Sequence, residues 1–184
     1  VRSEGRLDVG VGFGWNREEY EATCHDLSDR YARTRDNIGI MRALWTQDEA
    51  SFDGERESLE PSWAWPKPKS GIPFLLGGGS GPRLLSHLFE WGDGWMPIIA
   101  PDHEAEKKLE LLQNHLSACG RDSNAFGIEG WLRMDMPDPD KWSVAVEGWR
   151  KLGADIVMLY PMYRITNFDN QIETLRRFKE VVSG

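Results

Sequence analysis

The sequence contains few cysteines, no long apolar stretch and no excess of positive charge. Cys24 and Cys119 lie far apart and outside any CxxC pair, so neither a disulfide framework nor a zinc ribbon is indicated. No run approaches the ~20 apolar residues that cross a bilayer, and no signal peptide is visible. We therefore expect a cytoplasmic protein without membrane contact. The 22 basic and 30 acidic residues leave a net charge of −8, so nucleic acid is not an expected partner.

Several common catalytic motifs are also absent. The run Gly10-Val11-Gly12-Phe13-Gly14 fails the dinucleotide pattern GxGxxG, because Trp15 stands where the third glycine belongs. There is no GxxxxGK[ST] phosphate loop and no GxSxG nucleophile elbow. The histidines share no metal-ligand spacing, so no metal site is predicted, and the sequence assigns no catalytic residue; they are His25, His87, His103 and His115.

The sequence instead shows a regular alternation of short apolar segments with amphipathic ones. We predict five strands, at residues 6–12, 72–76, 94–99, 126–132 and 155–160, each followed by a helix. Asn16, with Glu19 three residues later, and Asp102 are predicted to cap helices. Such alternation implies an α/β fold with parallel strands, either an open doubly wound sheet or a (β/α) barrel. Residues 50–65 interrupt the pattern and are predicted as a small inserted hairpin around the turn dipeptide Asp53-Gly54.

A glycine-rich loop, Gly77-Gly78-Gly79-Ser80-Gly81-Pro82, joins the second predicted strand to its helix. Glycines let backbone N–H groups approach an anion, and the helix N-terminus adds a favourable dipole. Ser80 can cap the helix or donate to a phosphate oxygen, and Pro82 suits the first turn. The loop is interpreted as a phosphate site, with a tight turn lacking a ligand as the alternative.

A second row of glycines, Gly10, Gly12 and Gly14, ends the first predicted strand beside Trp15. Such a row favours close approach by a backbone or by a planar ligand, and the sequence leaves both open. Trp95, in a later strand, is a second candidate for contact with a cofactor. The two cysteines are expected to be buried and inert, and the charged run 104–110 to be a solvated helix face.

Four motifs, in this order, resemble the luciferase-like monooxygenase superfamily, especially its branch that uses the deazaflavin F420. They are Gly5-Arg6-Leu7-Asp8-Val9-Gly10-Val11-Gly12-Phe13-Gly14-Trp15-Asn16-Arg17-Glu18-Glu19-Tyr20, Arg42-Ala43-Leu44-Trp45-Thr46 with Phe52-Asp53-Gly54-Glu55, Pro73-Phe74-Leu75-Leu76-Gly77-Gly78-Gly79, and Gly92-Asp93-Gly94-Trp95-Met96-Pro97. The family fold is a TIM barrel. The resemblance implies one partial (β/α)-barrel domain over residues 1–184 that lacks the first three βα units.

The same resemblance implies a flavin- or deazaflavin-dependent oxidoreductase or monooxygenase acting on a small organic substrate. The cofactor would be F420, with FMN as the alternative. By analogy, Gly77, Gly78, Gly79 and Ser80 would hold its phosphate. Gly12, Gly14 and Trp15 would lie near its ribityl chain or ring, and Trp95 would line the pocket.

Two other hypotheses remain at this point. One is an inactive truncated barrel, a flavin-binding or scaffold remnant. The other is a phosphate-binding isomerase or aldolase, which lacks support because no lysine ends a predicted strand where a Schiff base would form. Missing strands would expose sheet edges and an apolar interior, so a homodimer is a further expectation.

Overall fold

The structure is a computed structural model that describes residues 4–133, 139–160 and 167–183. The chain divides after Ile72 into two compact units. The prediction of a single domain stays a prediction.

The first unit contains a short strand, two helices and a hairpin. Its elements are β1 Val9–Val11, α1 Arg17–Ala22, α2 Arg30–Thr46, β2 Ala50–Asp53 and β3 Ser58–Ser62, with a 3-10 turn at Leu27–Asp29. Asn16 caps α1 as predicted, because its side chain accepts a hydrogen bond from the Glu18 amide at 3.0 Å. At the 3-10 turn, the backbone amide and the hydroxyl of Ser28 donate to Asp26 and hold the pKa of that carboxyl below its ordinary value of 3.8.

The inserted hairpin is confirmed, and β2 and β3 are antiparallel, with Phe52 opposite Leu59. Its turn is longer than the Asp53-Gly54 dipeptide suggested, because Asp53 pairs with Ser58 and four residues lie between them. The Asp36 carboxylate of α2, only 1% exposed, accepts hydrogen bonds from two amides of this turn. The longer turn therefore supplies hydrogen-bond donors to the buried carboxylate of Asp36.

The second unit alternates strands and helices without interruption. Its elements are β4 Phe74–Gly78, α3 Pro82–Glu90, β5 Gly94–Pro97, α4 His103–Ala118, β6 Gly127–Arg133, α5 Pro139–Lys151, β7 Ile156–Tyr160 and α6 Phe168–Ser183. The strands are parallel in the order β4-β5-β6-β7. With β1 in the first unit, all five predicted barrel strands are present, which confirms the α/β class and the element order of a partial TIM (β/α) barrel.

The helices of the second unit pack against one side of its sheet. A Cβ added to Gly92 would lie 3.1 Å from side-chain atoms of both Leu76 and Leu88, which places the Leu76 side chain toward α3. A Cβ at Gly130 would overlap the ring of Trp149 in α5. Side chains alternate along a strand, so the residues between these positions face the opposite side of the sheet. We call that opposite side the inner face.

Local capping signals match the observed helix ends in this unit. The Asp102 side chain accepts hydrogen bonds from the amides of Glu104 and Ala105 and begins α4, as predicted. Gly120 and Gly153 follow α4 and α5 with φ of +72° and +79°, conformations that favour glycine after a helix. These boundaries therefore follow from nearby residues alone.

Candidate functional site

The glycine loop lies at the carboxyl end of β4 and at the amino end of α3. β4 ends at Gly78 and α3 begins at Pro82, which occupies the first turn as predicted. Gly81 is the N-cap and has no side chain with which to cap the helix. The Ile98 amide donates to the Gly78 carbonyl at 2.9 Å and ties the loop to the residue that follows β5. The positive end of the α3 dipole therefore meets the loop.

The loop has both a constrained glycine and open ones. Gly78 has φ +153°, and an added Cβ would lie 3.0 Å from Leu84, so a larger residue is strained there. Gly79 and Gly81 differ, because an added Cβ at either position would meet no atom within 4 Å. Space therefore exists beside their backbone, as an anion held by amides requires.

Ser80 does not cap α3. Its hydroxyl instead donates a 2.8 Å hydrogen bond to the Glu104 carboxylate, which lies in the first turn of α4. Glu104 is exposed, as expected for the charged run 104–110, and it also contacts the glycine loop. The sequence contains no local signal for this contact, because 24 residues separate the partners.

The first glycine row, Gly10, Gly12 and Gly14, ends in a turn of the first unit. Gly14 has φ +69°, and an added Cβ would lie 2.8 Å from the Tyr20 ring, so glycine is needed there. The Tyr20 hydroxyl donates to the Phe13 carbonyl at 2.8 Å and closes the turn. Gly12 has no atom within 4 Å of an added Cβ, and Trp15 is 85% exposed. The cofactor contacts expected for Gly12, Gly14 and Trp15 stay predictions.

Trp95 is fully buried, at 0% exposure. It pairs in register with Leu76, whose side chain faces α3, so the Trp95 ring also lies on the helix-facing side. Direct contact with a ligand would require the core to open at this point. Its predicted role in lining a pocket stays a prediction, and packing explains its position.

Residues that sequence reasoning missed lie on the inner face of β6 and β7. Glu129 is 9% exposed and is opposite Ile156 in register. Two residues further along β6, the Trp131 ring stacks on Tyr160 of β7, with ring centroids 5.6 Å apart. Glu129, a charged residue two positions before a tryptophan in the otherwise apolar predicted strand 126–132, was the available signal.

The cysteines are not buried as expected. Both are exposed, because Cys24 lies in a turn with φ +58° after α1 and Cys119 lies at the C-cap of α4. The Cys119 sulfur is 3.5 Å from His115 Nε2, one helical turn earlier. This proximity follows from helical spacing of four residues.

The first unit also carries a shallow groove of about 210 Å³. It is lined by Gly5, Leu7 and residues 66–72. Lys67 on its wall donates to the carbonyls of Leu44 and Gln47 at the end of α2. That ammonium therefore stabilises the end of α2.

Among the helices that the structure describes, none is long and apolar enough to cross a membrane.

Comparison with known proteins finds a family match and relatives over most of the chain. A family profile described as luciferase-like monooxygenase matches residues 2–172. An uncharacterized protein of Mycobacterium tuberculosis is 38% identical over 159 residues, which cover 85% of this chain and 53% of that protein. The F420-dependent glucose-6-phosphate dehydrogenase of the same organism is 28% identical over 144 residues, 73% of this chain and 42% of that enzyme.

A solved structure shows the same fold. Monooxygenase RslO1 from Streptomyces bottropensis superimposes with a TM-score of 0.75 at 19% identity, over 98% of this chain and 69% of that one. At this identity the likeness concerns the fold alone. The chain spans about half the length of the curated relatives it matches.

Proposed function

The chain belongs to the luciferase-like monooxygenase family, and from this premise we propose that it is an oxidoreductase that uses a flavin-type cofactor. The reaction is hydride transfer to or from the deazaflavin F420, or oxygen activation on reduced FMN, with a small organic molecule as substrate. F420 is the first choice, because a relative 28% identical to this chain is named as an F420-dependent dehydrogenase. A cytoplasmic location remains part of this proposal.

The observation that carries the proposal is the open backbone at Gly79 and Gly81. Amides at the start of a helix attract an anion, and the absence of side chains lets a phosphate oxygen come close. Gly77, Gly78, Gly79 and Ser80 are therefore the residues that we propose hold the cofactor phosphate. The loop residues fit such a group in shape, while Glu104 adds a negative charge beside them.

The geometry of the loop indicates which roles belong to the protein and which to the cofactor. The cofactor, when bound, supplies the redox chemistry, and the protein binds and orients it. The Ile98–Gly78 hydrogen bond holds the loop against the end of the neighbouring strand, so the amides are preorganised. Gly78 has no side chain, which leaves room for Leu84 beside the loop.

The alternative function is an inactive remnant that binds flavin weakly or acts only as a scaffold. A fluorescence titration of the purified chain with F420 and with FMN separates the two. We expect micromolar binding of at least one cofactor. If neither binds, the remnant hypothesis gains support and the oxidoreductase proposal fails.

Ser80→Asp tests the loop itself. It adds a negative charge at the anion site, so we expect at least a tenfold loss of affinity for the phosphorylated cofactors. Riboflavin, which has no phosphate, provides the baseline and should bind both proteins equally. Ser117→Asp, at an exposed position of α4, adds the same charge elsewhere and should leave affinity unchanged.

Gly79→Ala is a second variant that leaves the charge unaltered. An added methyl group meets no atom within 4 Å, so the fold should persist. The methyl group would occupy the space that a phosphate oxygen needs, and we expect about a tenfold loss of cofactor affinity. Unchanged affinity in both Ser80→Asp and Gly79→Ala would remove the phosphate role of the loop.

A further inference from the structure

A carboxylate beside a proposed phosphate site is unusual, because like charges repel. The Glu104 carboxylate accepts the Ser80 hydroxyl hydrogen at 2.8 Å. A serine hydroxyl has one proton to donate, so in this arrangement it cannot also donate to a ligand phosphate. The contact therefore changes both the charge and the hydrogen-bonding capacity of the loop.

The position of Glu104 is fixed by the start of α4. Its amide donates to the Asp102 side chain at 2.9 Å, and the next residue, Ala105, is fully buried at 0% exposure. An acidic side chain in the first turn of a helix is also favoured by the helix dipole. The backbone of Glu104 is therefore held in place, and its exposed carboxylate reaches Ser80 from there.

The electrostatic consequence depends on the charge of the phosphate group. A phosphate held by the backbone amides around Ser80 would lie within about one Debye length, ~8 Å, of the Glu104 carboxylate, because that carboxylate is 2.8 Å from the Ser80 hydroxyl oxygen. Near a protein surface, each additional negative charge at that distance costs about fivefold or more in affinity. A phosphomonoester carries nearly two negative charges at pH 7, whereas a phosphodiester carries one. Arg83, in the first turn of α3, already has an interaction partner of its own.

We infer that Glu104 is a specificity-determining residue that makes the glycine loop favour a monoanionic phosphodiester over a dianionic phosphomonoester. F420 carries its phosphate as a diester and FMN as a monoester, so this residue favours the deazaflavin. The inference rests on the proposed function for the location of the phosphate. It concerns the choice between cofactors and assigns no catalytic step to Glu104.

The test uses the full chain and two small probes, methyl phosphate and dimethyl phosphate, which differ in charge but hardly in size. Binding is followed by the NMR shifts of the Gly79 and Gly81 amides. In the parent chain we expect dimethyl phosphate to bind at least as tightly as methyl phosphate. Glu104→Gln keeps an acceptor for Ser80 but removes the negative charge. We expect it to raise the ratio of methyl phosphate affinity to dimethyl phosphate affinity about fivefold over the parent chain.

Glu106→Gln is the matched control. It removes the same charge from the same helix, but Glu106 contacts His103 at 3.0 Å and not Ser80. The affinity ratio of the two esters should change by less than about twofold in this variant. An unchanged ratio in Glu104→Gln, or the absence of amide shifts with either ester, would overturn the inference.

Titrations of the same proteins with F420 and FMN separate the inference from the proposed function. If both cofactors fail to bind while Glu104→Gln changes the ester ratio, the proposed function fails and the inference about charge selection stands. If a cofactor binds and the ester ratio does not respond to Glu104→Gln, the inference alone fails.

Discussion

Glycines at different positions in this chain are explained by different physical reasons. Gly14 and Gly78 have positive φ and an atom within 3.0 Å of an added Cβ, whereas Gly79 and Gly81 have no such atom within 4 Å. The first pair is explained by backbone conformation and packing. The second pair has no packing reason to be glycine, and it also lies just before α3, which is why we assign it to ligand approach.

Asp36 illustrates a residue whose charge is needed by the fold. Its carboxylate accepts hydrogen bonds from the Arg56 amide at 2.7 Å and the Glu57 amide at 3.2 Å. Asp36→Ala leaves both amides of the hairpin turn without their acceptor, so we expect the free energy of unfolding to fall by about 2–4 kcal/mol. Urea denaturation measures the loss.

The matched control for that substitution is Asp48→Ala, at an exposed position after α2. It should change the free energy of unfolding by no more than about 0.5 kcal/mol. Equal changes in the free energy of unfolding for the two substitutions would show that the hydrogen bonds of Asp36 do not stabilise the fold.

Helix termini in this chain are stabilised both locally and from a distance. Asn16 and Asp102 act on amides within three residues of themselves. The end of α3 depends instead on Arg121, whose guanidinium donates to the carbonyls of Leu88, Phe89 and Gly92. A cation at that terminus also complements the helix dipole.

We expect Arg121→Gln to lower the free energy of unfolding by about 1–3 kcal/mol, because three carbonyls lose a charged donor. Thermal unfolding followed by circular dichroism reports the change. Arg150→Gln, which removes an exposed cation paired with Glu147 on α5, should have an effect below about 0.5 kcal/mol. A stable Arg121→Gln protein would mean that water replaces the guanidinium without loss.

The chain spans about half the length of the curated relatives it matches, and it divides into two compact units after Ile72. In the second unit, the inner face of β7 is accessible, with Ile156 50% and Met158 38% exposed. Burial of apolar side chains is favourable, and a strand paired on one side can accept another. These features support the proposal that two copies associate.

Light scattering with size-exclusion chromatography is expected to show a dimer whose population rises with concentration. Ile156→Lys places a charge on the exposed face and should weaken the dimer at least tenfold. Val144→Lys adds the same charge at a residue of α5 that is 72% exposed and should leave association unchanged. A monomer at every concentration would contradict the proposal.

The sequence by itself determined the alternation of strands and helices, the helix caps at Asn16 and Asp102, and the location of the glycine loop. These features depend on residues a few positions apart, so local rules of periodicity and capping are sufficient. The family was also visible in short motifs. The hairpin was predicted, but its turn length was not, because Asp36 on a different element sets it.

Only the tertiary structure decided which distant side chains meet. Strand register and helix packing bring Glu104 to Ser80, bury Trp95 on the helix-facing side and place Glu129 on the inner face. No local pattern encodes these contacts, because they join residues far apart along the chain through the sheet. The charge beside the glycine loop, on which our view of cofactor choice depends, belongs to this second group.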